Sequence, residues 1–406
     1  MTGFSCKTGC YVAVVLVALS FIVQHLSIKW SFAGEEDVIK IGSPTPYSGV
    51  YAEASKLVAG GEDLAVKQWN EQGGVLGKKL VMLREDTQQL PAVAARKARK
   101  LFQEDGVNVL LGAAGSNIAA AELDIARKLK RLLIIHVAYS SELTGKECNY
   151  YTFRIGHNSL IEAAAFGAWM VKNFGKTYYF IAADYLWGTS TTEDFIAAVE
   201  KAGGKTLGKA YFPLGAKDLS PYFAAIKQAK PEVLFTVAAG NDARLALTQI
   251  HQFGLDKEMK IAGPAPLFGA EILSTVGEAA EGIVGASPWH AVLGTPESQK
   301  FVADYKAFVG EEPPLYAMHG YAGVDLYVQA IQRAGTIDTD AVIKTLRGFT
   351  YRGPQGVNYI RPGDNQAMMD FYIMTVKQGK VKILERVPRE SYTVPNTCNK
   401  DLSKAD

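Results

Sequence analysis

The run LLGAAGSNIAAAE, residues 110–122, carries an apolar stretch into a small-residue loop, with Ser116 where a helix can begin. Free backbone N–H groups and the positive end of a helix dipole favour an anion at such a point. Ser116 then either adds a hydroxyl to an anion site or serves as a plain N-cap, and the two roles are compatible. The spacing excludes the nucleotide versions of such a loop. Gly112 and Gly115 do not form G-x-G-x-x-G, and Glu122 and Asp124 stand too close to the loop to serve as a ribose partner about 20 residues on. FGKT (174–177) and GGKT (203–206) lack the glycine that a phosphate-binding P-loop needs ahead of its Gly-Lys. No G-x-S-x-G elbow, H-E-x-x-H pair or C-x-x-C is present. His136, His157, His251, His290 and His319 are scattered without ligand spacing, so neither metal nor cofactor is expected, and these residues alone leave enzyme and binder both open.

The elements that must position Ser116 follow from hydrophobic rhythm. Apolar runs at 38–43, 79–86, 107–113, 132–138, 177–183, 232–238 and 259–263 lack polar alternation, as strands covered on both faces do. Amphipathic stretches at 53–72, 91–105, 116–130, 158–174, 189–202 and 241–253 fall between them. The alternation predicts parallel sheets with right-handed crossovers, an α/β architecture. Further helices are expected at 296–310 and 317–335, and late strands within 356–385.

With 406 residues the chain has room for two or three domains. Lys plus Arg number 43 against 41 Asp plus Glu, a balance that argues against a nucleic-acid partner. Lys7, the apolar run 11–23 and the small residues Ser31 and Ala33 predict a signal peptide over 1–33, cleaved after Ala33, and hence export. The run is short of the roughly 20 residues of a spanning helix, yet an uncleaved anchor is the open alternative. After cleavage Cys148 and Cys398 remain, either as one disulfide tying the C-terminal tail to the body or as two free thiols.

IKIGSPTPYSGVYAEASK, GGEDLAVKQWNEQGGVLGKKLVMLREDTQ, VLLGAAGSNIAAAE, AYSSELT, FRIG, DYLWG, GPAPL and AEGIVGASP occur in an order that resembles type I periplasmic binding proteins, specifically the leucine/isoleucine/valine-binding family of ABC importers. The resemblance spans about residues 38–385. It implies two Rossmann-like α/β lobes with parallel-rich sheets, joined by a three-crossing hinge, with a ligand cleft between them, and a binder without covalent chemistry rather than an enzyme. The expected division is 37–156 plus 288–354 for lobe 1, 157–287 plus 355–390 for lobe 2, and a tail at 391–406. The implied partners are a small-molecule carboxylate and the membrane permease, with the protein periplasmic and monomeric.

Matched position by position, the resemblance makes Ser116, with Asn117 beside it, the carboxylate contact. Val137, Ala138, Tyr139 and Ser140 match the next contact loop, where amino-acid binders carry a small Ala and a Thr in place of Val137 and Tyr139. Trp187 and Tyr316 match aromatic walls, and Asn241 and Asp242 a further cleft loop. Ala265 stands where the GPE loop of amino-acid binders supplies a carboxylate to the ligand's ammonium. A buried ammonium without a counter-charge is costly, so either Asp242 substitutes or the ligand has no amine. The resemblance therefore points to an organic or aromatic acid stacked on Trp187, with a branched-chain amino acid as the alternative. A ligand-sensing ectodomain on a retained N-terminal anchor is the alternative of another class. The disulfide of the leucine-type proteins is missing at both ends, at Gln88 and Gly115.

Overall fold

The computed structural model describes residues 1–3, 38–112 and 114–405, so the signal-peptide reading over 1–33 and its cleavage point lie outside the described residues but for 1–3. Met1–Val38 and Ile39–Asp406 are separate units, and every described strand and helix belongs to the second.

The first sheet begins with β1 (Ile39–Thr45), α1 (Ala52–Glu71), β2 (Leu80–Asp86), α2 (Pro91–Gln103), β3 (Val109–Gly112), α3 (Ser116–Leu129), β4 (Leu132–Ile135) and β5 (Thr152–Arg154). The chain then crosses to α4 (Ser159–Asn173), β6 (Thr177–Asp184), α5 (Leu186–Lys201), β7 (Lys205–Pro213), α6 (Ser220–Ala229), β8 (Val233–Val237), α7 (Gly240–Gln252), α8 (Leu255–Glu258), β9 (Lys260–Pro264), α9 (Ala270–Val276) and β10 (Val284–Ser287). It continues through α10 (Pro296–Val309), α11 (Leu315–Ala334) and α12 (Thr339–Leu346) to β11 (Thr350–Gly353), β12 (Gly356–Arg361) and β13 (Gln366–Met368), and ends with β14 (Phe371–Lys377) and β15 (Lys380–Val387).

The strands form two sheets, β11-β12-β13-β5-β4-β3-β1-β2 and β15-β14-β10-β9-β8-β6-β7. In each, the strands joined by crossover helices pair in parallel and the late strands add an antiparallel edge. β3, β4 and β8 are buried along their whole length, which is why VLLG, LLII and VLFTV show no polar alternation. α11 returns to pack against α1, and the approach is close enough that a Cβ on Gly61 would lie 1.8 Å from the Ala317 carbonyl oxygen. Only glycine allows the two backbones to meet there.

The lobe boundary differs from the one expected. The sequence reading puts 355–390 in lobe 2, but β12 and β13 belong to the first sheet, so the third crossing falls after Met368 rather than after 354. An edge hairpin reads the same for either sheet. The deciding contact is Gln366, which pairs with Arg154 in register and accepts its Nε–H at 2.6 Å. β5 (TFR) and β10 (VGAS) are also absent from the expected strands, being too short to stand out as apolar runs.

Cys148 and Cys398 are joined by a disulfide. Val394 and Leu402 of the tail are buried, and Arg361 donates to the Val394 carbonyl at 2.8 Å, so the tail is held against the body by packing as well as by the covalent link.

Candidate functional site

The C-terminal ends of the parallel strands in both sheets meet around one cavity. The first sheet contributes Tyr51 and Ala54 after β1, Ala114, Gly115 and Ser116 after β3, and Val137, Ala138 and Tyr139 after β4. The second contributes Tyr185 and Trp187 after β6, Ala239 after β8 and Pro266 after β9, and Tyr316 enters from α11. Crevices at the carboxyl ends of parallel strands are where α/β sheets bind ligands. The cavity holds about 20 Å³, room for about one water molecule.

Ser116 is the first residue of α3, and the N-cap is Gly115, at φ +107°. That left-handed conformation favours glycine at position 115. The plain N-cap reading of Ser116 therefore does not hold. Its hydroxyl oxygen instead accepts the Ser140 N–H at 3.2 Å, which leaves the hydroxyl hydrogen free to donate. The N–H groups of the first helical turn have no intrahelical acceptor. Hydroxyl and amides together can bind one carboxylate.

The loop after β4 is set from behind by a buried arginine. Arg154 donates to the carbonyls of Ala138 (3.0 Å) and Ser140 (2.7 Å), to Gln366 Oε1 and to Thr144 Oγ1. These bonds hold Ala138 at φ +70°, a left-handed conformation that costs a residue with a Cβ. The guanidinium is fully enclosed, and burial brings its pKa down to about 9.

Tyr139 stacks on His157 with ring centroids 4.2 Å apart and meets Trp187 edge-on at 6.2 Å, while its hydroxyl bonds His319 Nδ1 at 3.2 Å. His157 lies 5.8 Å from the His319 ring, and its Nε2 is 3.6 Å from Glu162 Oε2. Burial, with Arg154 nearby, lowers His157 to about 3, and burial raises Glu162 to about 8. Among the described residues no group of His, Cys, Asp and Glu is arranged to hold a metal ion.

Of the ligand contacts expected from the sequence, Ser116, Val137, Ala138, Tyr139, Trp187 and Tyr316 line this cavity, while Asn117, Ser140, Asn241, Asp242 and Ala265 do not. Ser140 supports it through Ser116 and caps the short turn that follows. Asn117 accepts the Leu186 N–H at 3.0 Å, bridging α3 of one lobe to the start of α5 of the other. Asn241 is exposed and accepts from Arg244, which pairs across the cleft with Glu53. Asp242 is buried outside the cavity lining, with both oxygens near the Gly215 N–H, at 3.1 and 3.2 Å. Ala265 lines a neighbouring cavity with Phe268, Trp289 and His290, and its N–H donates to Glu162 Oε1 at 2.8 Å.

Tyr51 and Tyr185 carry no role in the sequence reading, although both lie inside its segments, in GVYAEASK and DYLWG. Their hydroxyls bond each other at 2.5 Å across the cleft. Glu271 has no sequence signal at all. Its two carboxyl oxygens are buried without a partner, and burial raises its pKa to about 7.

The model of the family described as periplasmic binding protein matches residues 38–380. The chain belongs to the periplasmic binding protein family. It is 24% identical over 372 residues to a Leu/Ile/Val-binding protein homolog 4 of Brucella abortus, covering 88% of each chain. A periplasmic binding protein from Burkholderia mallei superposes with a TM-score of 0.83 at 28% identity, over 89% of this chain and 99% of that one. A solute-binding protein of an ABC transporter from Rhodopseudomonas palustris, solved with 3,4-dihydroxybenzoic acid, superposes with a TM-score of 0.82 at 26% identity, over 89% and 99%. Membership makes the chain the substrate-binding component of an ABC transporter, acting outside the cytoplasm with a small-molecule ligand and membrane permease subunits as partners. No helix among the described residues is long and apolar enough to cross a membrane.

Proposed function

We infer that this periplasmic binding protein captures a small aromatic carboxylate, with the carboxylate at Ser116 and the first turn of α3 and the ring against Trp187. The carrying observation is the lining of the cavity: hydroxyl and amide donors at one end, aromatic rings around the rest, and no acidic side chain among the described lining residues. A carboxylate suits the donors, and a flat ring suits the walls. The relative solved with dihydroxybenzoic acid supports the same reading. A space of about 20 Å³ cannot hold such a ligand, so loading requires the lobes to part about their crossings and close again. The protein acts as a monomer, without catalysis and without a cofactor, after export by its N-terminal segment.

Glu271 favours a second reading. A buried unpaired carboxylate whose charge acts on the Tyr139 and Tyr316 hydroxyls could answer an ammonium, and the ligand would then be a branched-chain amino acid. Thermal unfolding of the purified protein against benzoate, aliphatic acids and leucine separates the two. A ligand at 100 times its Kd adds about 2.7 kcal/mol of stability. Benzoate is expected to raise the Tm and leucine to leave it unchanged. A shift with leucine alone would overturn the aromatic-acid reading.

A further inference from the structure

We propose that the ligand's ring carries a hydroxyl that accepts the indole N–H of Trp187, so that the substrate class is hydroxylated aromatic carboxylates. The inference rests on the aromatic-acid reading above.

Trp187 lines the cavity and is 2% exposed, yet its Nε1–H has no acceptor in the protein. Buried donors are almost always paired, and an unpaired one carries the full cost of its lost hydration. The adjoining ring is Tyr185, 5.9 Å away between centroids. Its hydroxyl bonds the Tyr51 hydroxyl, and because the pair carries two hydrogens and the bond uses one, one phenol hydrogen is left to donate. Tyr139, the second ring on Trp187, has its hydroxyl engaged with His319. The wall around Trp187 thus offers two donors, an indole N–H and a phenol O–H. A phenolic oxygen on the ligand can accept from both. The bare edge of benzoate and the side chain of leucine offer only C–H groups, and either would seal the indole N–H away unpaired. A site built to bond a hydroxyl rejects the analogue that lacks it far more strongly than an apolar pocket rejects a misfit of size.

The test is calorimetric titration of the whole exported chain with benzoate and with 2-, 3- and 4-hydroxybenzoate, repeated on Trp187→Phe. At least one hydroxylated isomer is expected to bind wild type about tenfold or more tighter than benzoate. The Phe variant is expected to lose that advantage, the ratio of the benzoate Kd to the preferred isomer's Kd falling to within about threefold of one whatever happens to the absolute affinities. Equal affinity of wild type for all four acids would overturn the proposal, as would a Phe variant that keeps the wild-type ratio between benzoate and the preferred isomer. Should the variant fail to fold, the wild-type ranking decides alone. Binding of leucine with no response to any of the four acids would overturn the aromatic-acid reading itself, and this inference with it.

Discussion

Ser116 combines two roles that usually compete. Its oxygen fixes the neighbouring loop through the Ser140 N–H, and its hydrogen remains for the ligand. Ser116→Ala removes both, so benzoate affinity should fall by about 1–3 kcal/mol, roughly five- to 150-fold, when read by titration. An unchanged Kd would reduce Ser116 to a structural residue. Behind it, Glu162 and His157 oppose each other in pH dependence. Burial raises Glu162 from 4.5 to about 8, so across that window the folded protein keeps a proton that the unfolded chain has released, and stability falls as pH rises. His157, lowered from 6.5 to about 3, makes the unfolded chain the stronger proton binder, so stability falls as pH drops through 6.5. Of the two, only the carboxyl effect operates between pH 6.5 and 8. Glu162→Gln, which keeps an oxygen for the Ala265 N–H, should lessen the decline of Tm over that range. An identical slope in the variant would contradict the assignment.

At the scale of elements, the start of α5 is where the lobes meet. Tyr185 receives the Tyr51 hydroxyl, and the Leu186 N–H is capped by Asn117 from α3 of the opposite lobe. The Asn117 side-chain oxygen is therefore engaged across the lobes. Asn117→Ala should weaken benzoate by about 1 kcal/mol, with faster dissociation and an unchanged association rate in stopped-flow measurements. Faster dissociation marks loss of the closed state. A slowed association would instead point to direct ligand contact. Much of this level is legible in the sequence. The strand at 233–237 and the helix at 116–129 follow from apolar run and amphipathic period, each within a residue or two of its expected bounds. What is not legible is side-chain direction. Asn117, Asn241 and Asp242 sit in the first turns of α3 and α7 but turn to backbone or rim partners, which depends on residues 69, 3 and 27 positions away. Arg154, buried and decisive for the contact loop, resembles any surface arginine in one dimension.

At the scale of the molecule, three crossings join two sheets whose strand ends face one cavity, an arrangement suited to hinge closure as a shift between open and closed populations. The ordered series of segments makes the two-lobe plan readable, because each segment ends a strand at the cleft. The placement of 356–368 is not readable, since a hairpin that can cap either sheet carries no local mark of its choice. Ligand class is decided at this scale too, by which side chains the two sheets bring to one wall. The most direct test is to titrate benzoate and leucine into the same preparation in a calorimeter. Saturable one-to-one heat with benzoate and none with leucine is the expected result. Saturable heat with leucine and none with benzoate would contradict the account and assign the site to an amino acid.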